Sequence, residues 1–281
     1  MIRDITIGQY FPGTSVIHKL DPRMKIILTV LNIASLFLCR NFFSLLLMLA
    51  ISVVWVLLSR ISFKTILKGL KMILVILLFT AFLQIFYNDG GTVLWHPVES
   101  WDFKITTEGV FSAIFIAVRI VALILLSTLL TYTTSPTLLT DAIERLLSPL
   151  KVFHIKVHSL AMMMTIALRF IPTLIEEIDI IMSAQKARGA DLEAGSLMQR
   201  AKALVPILVP LFVNSFRRAY ELAFAMEARC YGGDGKRTRL RVMKLQGRDF
   251  VMLAIALVCL AAVIVTSVVD MGGFFLFEKV I

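Results

Sequence analysis

The chain has 281 residues, of which 58% are hydrophobic and 17% charged, and its mean hydropathy is +0.86. Soluble domains carry about 25% charged residues, so the composition excludes an ordinary water-soluble protein and predicts that lipid solvates part of the chain. The net charge of +10 does not indicate nucleic-acid binding, because the basic residues lie between apolar runs, where membrane proteins carry them.

Five apolar runs approach the length of about 20 residues that a helix needs to cross a bilayer. They cover residues 25–39, 42–59, 70–87, 109–132 and 250–269. The first is short, and the Arg40-Asn41 turn joins it to the second as a helical hairpin. The pattern predicts an all-α membrane protein with about five transmembrane helices.

The flanking charges predict how these helices are oriented. The loop 88–108 carries four acids and one base, whereas basic residues precede the first run and separate the second from the third. Loops rich in Lys and Arg face the cytoplasm, so we expect a cytoplasmic N-terminus and an extracellular C-terminus. The bases after the second run are assigned to a cytoplasmic loop: Arg60, Lys64, Lys68 and Lys71.

Residues 135–247 form a more charged region. A short amphipathic helix is predicted from Pro136 to about Pro149. Two further apolar runs, 159–175 and 203–216, continue directly into charged sequence. We interpret both as long helices that start at the membrane and extend into the cytoplasm, and a transmembrane hairpin is the alternative. Three prolines are expected to bend them: Pro172, Pro206 and Pro210.

Both long helices end in an Ala-Arg pair, Ala187-Arg188 and Ala228-Arg229. The helix dipole favours arginine in a last turn, and the small alanine lets another surface approach the backbone. The planar guanidinium suits an acidic or carbonyl-lined cleft of a partner, although an ordinary helix cap is the alternative explanation.

The residues after the two arginines differ. Gly189 follows Arg188 and suits the left-handed conformation that ends a helix. Cys230 follows Arg229, so we expect the pair Gly232-Gly233 to take over that role.

No nucleotide site, metal site or cofactor is predicted. Gly235-Lys236 is followed by Arg237, whereas a P-loop requires Ser or Thr there. His154 and His158 share a helix face but lack a third ligand, and therefore indicate a basic interfacial face. The three cysteines have no metal-binding spacing.

Three charged residues near or inside the apolar runs have structural explanations. Arg119 lies inside the fourth run, where we favour a hydrogen bond to a neighbouring helix over a role in transport. Glu176 and Glu177 are adjacent and point in different directions on a helix, which indicates a solvated or partner-facing patch rather than a catalytic pair.

The two Ala-Arg ends, together with the N-terminal run GQYFPGTSVIHKLDPRMK from Gly8 to Lys25, resemble the transmembrane (T) component of energy-coupling factor transporters, the EcfT/CbiQ family. The resemblance covers essentially the whole chain. It implies a non-catalytic subunit of a bacterial plasma-membrane importer. Two ABC-type ATPases supply ATP hydrolysis, and an S component selects the substrate, which ranges from vitamins to metal ions.

The resemblance also implies roles for residues and regions. The arginine-tipped helices would dock into grooves of the two ATPases, Arg188 into one and Arg229 into the other. Residues 1–134 would form the N-terminal transmembrane helices, 135–247 the cytoplasmic coupling-helix region and 248–281 the C-terminal transmembrane helix. The adaptable side chains Met162, Met163 and Met164 are candidates for S-component contact, with plain packing as the alternative.

Two other functional classes remain as alternatives. A polytopic membrane enzyme would need an intramembrane nucleophile, base or metal cluster. A stand-alone secondary transporter would need acids well inside the spans for ion coupling. Neither feature occurs in the five runs.

Overall fold

The computed structural model describes residues 10–87, 93–95, 105–153, 156–190, 196–232 and 243–268. The helices in chain order are α1 Pro22–Leu38, α2 Phe42–Ser59, α3 Phe63–Tyr87, α4 Thr107–Thr133, α5 Pro136–Leu146, α6 Val157–Ala187, α7 Leu197–Glu227 and α8 Gly247–Val268. A 3₁₀ helix, Ser148–Phe153, follows α5, and two short antiparallel strands, β1 Val93–Trp95 and β2 Ile105–Thr106, lie between α3 and α4. The predicted α-helical membrane class is confirmed. Predictions that involve Gly8, His154 or the stretch 233–242 fall outside the described residues.

Among the described residues, four helices are by length and composition apolar enough to cross a membrane, namely α2, α4, α6 and α8. α3 is a fifth candidate if its two parts, which are bent by 53°, form one span. The number agrees with the prediction but the members differ, because α6 qualifies while α1, with only 17 residues, does not. A transmembrane hairpin would need both α6 and α7, and α7 is not among the candidates.

The start of α3 differs from its prediction. The helix begins at Phe63 rather than near Leu70, because lysine is a good helix former and no Gly or Pro interrupts the first turn. Lys64, Lys68 and Lys71 therefore lie on a helix, and their assignment to a loop was wrong.

The chain divides into two compact units, one with α1–α4 and α8 and the other with α5–α7. In the first unit α4 packs against α1, α2 and α3, and α8 packs against α1. Small side chains allow the close approach: Ser44, Ser52 and Ser112 are fully buried. A Cβ at Gly109 would lie 2.8 Å from the carbonyl oxygen of Ile85, so the end of α3 and the start of α4 meet where only glycine fits.

Arg119 has the role that the sequence predicts. Its Nη2 donates a hydrogen bond to the carbonyl oxygen of Cys39, 2.6 Å away, immediately after α1 ends. The guanidinium also lies 4.7 Å from the centre of the Phe115 ring. Arg119 thus joins α4 to the C-terminal end of α1, where carbonyl groups lack helical partners.

The residues before α1 are held by hydrogen bonds at both of their ends. His18 Nε2 lies 3.0 Å from the carbonyl oxygen of Phe11, and His18 Nδ1 lies 2.7 Å from Ser15 Oγ. Because a carbonyl only accepts, Nε2 carries the proton and Nδ1 accepts from the serine. Further along, the N–H of Asp21 donates to Asp249 Oδ1 at 3.0 Å, so the start of α1 is fixed to the start of α8.

Asp249 is almost fully buried, with 2% of its surface exposed. Its second carboxylate oxygen accepts a hydrogen bond from the N–H of Gln246 at 2.7 Å. Arg23 completes the arrangement: it pairs with Asp21 at 3.0 Å and donates to the carbonyl oxygen of Met243 at 3.2 Å. We call these five residues the Asp249 clamp.

Candidate partner-docking site

The two long helices of the second unit form an antiparallel pair. Near the middle, Glu177 of α6 accepts a hydrogen bond from Asn214 of α7, and its other carboxylate oxygen lies 3.2 Å from Arg218 Nη2. Near one end, the hydroxyl of Tyr231, after α7, lies 2.7 Å from the sulfur of Met162, at the start of α6. The C-terminal end of each helix therefore lies at the opposite end of the pair.

The buried carboxylate of Glu177 corrects one expectation. Glu177 is 8% exposed and lies between the helices, whereas Glu176 is exposed. Glu176 is exposed, as the prediction of a solvated or partner-facing patch requires. The prediction was wrong for Glu177, which is buried. Two adjacent acids on a helix face directions about 100° apart, and the sequence does not tell which of them faces the neighbouring helix.

The end of α6 has the hydrogen bonds of a Schellman motif. The N–H of Ala190 donates to the carbonyl of Gln185 at 3.0 Å, and the N–H of Gly189 donates to that of Lys186 at 3.0 Å. Gly189 has a left-handed backbone with φ of 82°. Arg188 is thus the last residue before the chain turns away.

The end of α7 has the same hydrogen bonds. The N–H of Tyr231 donates to the carbonyl of Met226 at 3.0 Å, and the N–H of Cys230 donates to that of Glu227 at 2.8 Å. Cys230 itself is left-handed, with φ of 55°. The expectation that Gly232 would end this helix was wrong, because the chain turns at Cys230 despite the steric cost of its Cβ. Gly233 lies outside the described residues.

The six predicted docking residues, Ala187, Arg188, Gly189, Ala228, Arg229 and Cys230, are all exposed. In the part of the chain that the structure describes, no side-chain hydrogen bond or ion pair involves either arginine. Each guanidinium lies at the negative end of a 31-residue helix. The two ends therefore present the same group, a free planar cation, in the same local geometry.

The antiparallel arrangement separates the two arginines. Arg229 lies two residues before Tyr231, which contacts Met162, and Arg188 lies 26 residues beyond Met162 on α6. At 1.5 Å per residue this corresponds to about 40 Å along the pair. Two cations so far apart suit two binding clefts rather than one.

The three methionines differ in their surroundings. Met163 and Met164 are 62% and 40% exposed. Met162 is half-buried and contacts the hydroxyl of Tyr231. Met162 therefore helps to hold the end of α7 against α6, whereas Met163 and Met164 present apolar surface.

A long apolar face on α7 was missed by the sequence reasoning. Large apolar side chains recur every four residues along this helix and are about half exposed or more: Leu204, Leu208, Phe212, Phe216, Tyr220 and Phe224. The regular spacing was visible in the sequence. Each step of four residues advances about 40° beyond a full turn, so the row winds about 200° around the helix. We call these six residues the α7 apolar face.

α5 is joined to α6 by a buried acid. Glu144 is 8% exposed, and its Oε1 lies 3.0 Å from Nδ1 of His158. The prediction of a basic interfacial face included His158, which instead pairs with this acid. Among the described residues no three His, Cys, Asp or Glu side chains are grouped as metal ligands.

Known proteins resemble this chain over nearly its whole length. A family model described as CbiQ, cobalt transport protein, matches residues 13–240. A Clostridium kluyveri protein named energy-coupling factor transporter transmembrane protein EcfT is 54% identical over 93% of this chain and 97% of its own length. Proteins of the same name from Ruminiclostridium cellulolyticum and Bacillus subtilis are 50% and 46% identical, over 96% and 94% of this chain and 99% and 98% of their own lengths. The chain therefore belongs to the EcfT/CbiQ family of transmembrane components of energy-coupling factor transporters.

Proposed function

We propose that this chain is the coupling subunit of an importer, in which it joins two cytoplasmic ABC-type ATPases to a membrane-embedded S component that binds a vitamin or a metal ion. The chain itself is non-catalytic, and the ATPases supply hydrolysis. The observation that carries the proposal is the pair of exposed arginines, Arg188 and Arg229, at opposite ends of one helix pair.

The geometry supports one ATPase at each arginine. Because both ATPases are cytoplasmic, the proposal has the α6–α7 pair along the cytoplasmic side of the membrane, so that α1 rather than the apolar α6 is the fifth crossing. Both guanidiniums stand free at the end of a rigid helix, and Ala187 and Ala228 leave room beside them. A groove with carboxylates or carbonyls would bind the planar fork with two hydrogen bonds. The family name shared by the relatives, which refers to energy coupling, agrees with this role.

The contacts between α6 and α7 support a mechanical role for the pair. Glu177 joins the helices in the middle and Met162 joins them to Tyr231 near one end. When the ATPases close on ATP, two bound ends would be drawn together, and the helix pair would respond as one body. Coupling requires that the partners bind two arrangements of the pair with different affinity.

The S component requires an apolar surface, and the α7 apolar face provides one. α7 carries Arg217 and Arg218 and is not a candidate span, so its apolar side chains need a neighbour other than the middle of a bilayer. We propose that this face, with Met163 and Met164, contacts the S component. From the basic residues that flank the apolar runs, we also propose that the N-terminus lies in the cytoplasm and the C-terminus outside.

The test reverses both charges. We expect the double variant Arg188→Glu with Arg229→Glu to lose the ATPases on co-purification, because an arginine at the centre of an interface contributes about 2–4 kcal/mol. ATP-driven uptake should be lost while membrane insertion is retained. Arg→Lys at both sites should also weaken binding, since lysine lacks the planar fork.

The matched control reverses two exposed arginines in the middle of the same helices, Arg169 and Arg217. Arg169→Glu with Arg217→Glu changes the net charge equally but should retain the ATPases. If the Arg188/Arg229 variant still co-purified with both ATPases and supported uptake, the proposed coupling role would be refuted.

A further inference from the structure

The first part of α3, Phe63–Lys71, carries a row of cations. Lys64, Lys68 and Lys71 are spaced by four and three residues, which places them on one face of the helix. All three are exposed, and within the described residues no hydrogen bond or ion pair involves them. The segment contains no acidic residue. We call these three residues the lysine stripe.

The packing of the segment determines which way the lysine stripe points. Ile66 is 5% exposed and packs with Val56, Leu125 and Tyr132. The opposite side is open, so the stripe faces away from the rest of the unit. The orientation therefore results from packing and does not depend on where the flexible lysine side chains happen to lie.

Apolar side chains adjoin the lysine stripe. Phe63 is 63% exposed and Leu67 is 50% exposed, and on the helix they lie between the stripe and the buried Ile66. A surface that combines free cations with an exposed aromatic ring and an exposed leucine is poorly suited to water alone. It is the arrangement of a helix that lies in the headgroup layer of a membrane.

The bend in α3 is consistent with such a location. The segment Phe63–Lys71 is inclined by 53° to Ile73–Phe86. The second part exposes only apolar side chains, among them Val75 and Phe79. A lipid-facing helix that turns at its basic end brings that end towards the plane of the membrane surface.

We propose that the lysine stripe binds the phosphate groups of anionic phospholipids, while Phe63 and Leu67 insert among the acyl chains. Charge complementarity favours an anionic over a zwitterionic headgroup. The apolar side chains favour lipid over an acidic protein surface, because they continue directly into the lipid-facing part of the same helix. The inference does not depend on the ATPases or on the S component.

The test places a fluorescent reporter at the site. The full-length chain with Phe63→Trp is reconstituted in nanodiscs of phosphatidylcholine and phosphatidylglycerol, in which either lipid carries bromine on its acyl chains. Bromine quenches a tryptophan that it contacts, and the parent protein gives the background of the three native tryptophans. A lysine at the membrane surface favours anionic lipid by roughly fivefold at low salt. We therefore expect brominated phosphatidylglycerol to be preferred over brominated phosphatidylcholine at the introduced tryptophan by at least this factor. The preference should be smaller at high salt.

Two variants decide whether the lysines cause the preference. The triple variant Lys64→Gln, Lys68→Gln, Lys71→Gln should quench equally with either brominated lipid. The triple Lys→Arg variant keeps the charge and should keep the preference, which controls for misfolding. The proposal is overturned by equal quenching in the Phe63→Trp protein, by an unchanged preference in the Gln variant, or by loss of preference in both triple variants. Loss of ATPase co-purification in the Gln variant, with its lipid preference intact, would instead assign the stripe to a protein partner.

Discussion

Cys230 combines a side chain with a backbone conformation that glycine adopts more readily. Its φ of 55° matches the turn that Gly189 makes at the other helix end, where φ is 82°. A left-handed residue with a Cβ costs about 1–2 kcal/mol. This end of the helix pair is therefore the less stable one, although the hydrogen bonds of the two ends are the same.

Substitutions at Cys230 should change docking in opposite directions. Cys230→Gly removes the steric cost and should leave docking at Arg229 equal or stronger, whereas Cys230→Val adds a branched Cβ and should weaken it. Co-purification of ATPases in an Arg188→Ala background measures this, because binding then depends on the Arg229 end. Equal binding by the Gly and Val variants would contradict the assignment of Cys230 as the turning residue.

His18 gives the fold a dependence on pH. Burial lowers the pKa of His18 below its ordinary value of 6.5, and the positive charge of Lys25 lowers the pKa further, whereas the hydrogen bond to Phe11 acts in the opposite direction. The folded state thus favours the neutral ring. Its contribution to stability is present above pH 6.5 and is lost as the pH falls through the lowered pKa.

We expect the thermal midpoint of the purified protein to fall on acidification below pH 6.5, the ordinary pKa of histidine, and not above it. His18→Gln does not titrate and can still donate to the Phe11 carbonyl, so its midpoint should fall less over the same range. Differential scanning fluorimetry of both proteins measures the slopes. Parallel slopes would show that other groups cause the pH dependence.

At the scale of helices, Glu177 controls how α6 and α7 are paired. Glu177→Ala leaves the amide of Asn214 without its acceptor and should cost about 1–3 kcal/mol. Because the pair positions both arginines, we expect weaker binding of both ATPases and faster tryptic cleavage at Arg188. The adjacent exposed Glu176 provides the control, since Glu176→Ala removes the same charge. Equal effects of the two substitutions would indicate that only net charge matters.

The sequence predicts most helices but not all of their boundaries. Long apolar runs located α2 and α4 to within about two residues, because lipid-facing helices differ sharply from loops in composition. The start of α3 was missed because lysines near a membrane helix are also expected in loops. The Ala-Arg ends were located correctly, whereas the left-handed Cys230 was not, since its neighbouring glycines were the better candidates by propensity.

At the scale of the whole molecule, the Asp249 clamp joins two segments that are 228 residues apart in sequence. No local pattern indicates such a contact, since an acid in the first turn of α8 is already explained by the helix dipole. The pairing of Glu177 with Asn214 is a second contact of this kind. The sequence thus predicts helices and their exposed ends, and the structure adds which buried polar groups join them.

Loss of the Asp249 clamp should destabilise the unit that contains α1 and α8. Asp249→Ala leaves the N–H groups of Asp21 and Gln246 without an acceptor, and hydrogen bonds to a charged group contribute about 1.5–3 kcal/mol. We expect a lower thermal midpoint in detergent and no direct effect on the binding of ATPases by Arg188 and Arg229. Asp249→Asn retains one acceptor oxygen and should lie between the two. A midpoint unchanged in Asp249→Ala would contradict the role of the clamp.

The antiparallel pair of α6 and α7 determines both the distance between the two arginines and the direction in which each one points. Removing one residue from α6 between Glu177 and Arg188 would shorten the distance between the two arginines by about 1.5 Å and rotate the guanidinium of Arg188 by about 100°. The length change is small, but the rotation would turn the cation away from the ATPase cleft that we propose for it. Insertions and deletions in this region are therefore tolerable mainly in steps of about seven residues, or two full turns, and a change of that size would require partners spaced about 10 Å differently.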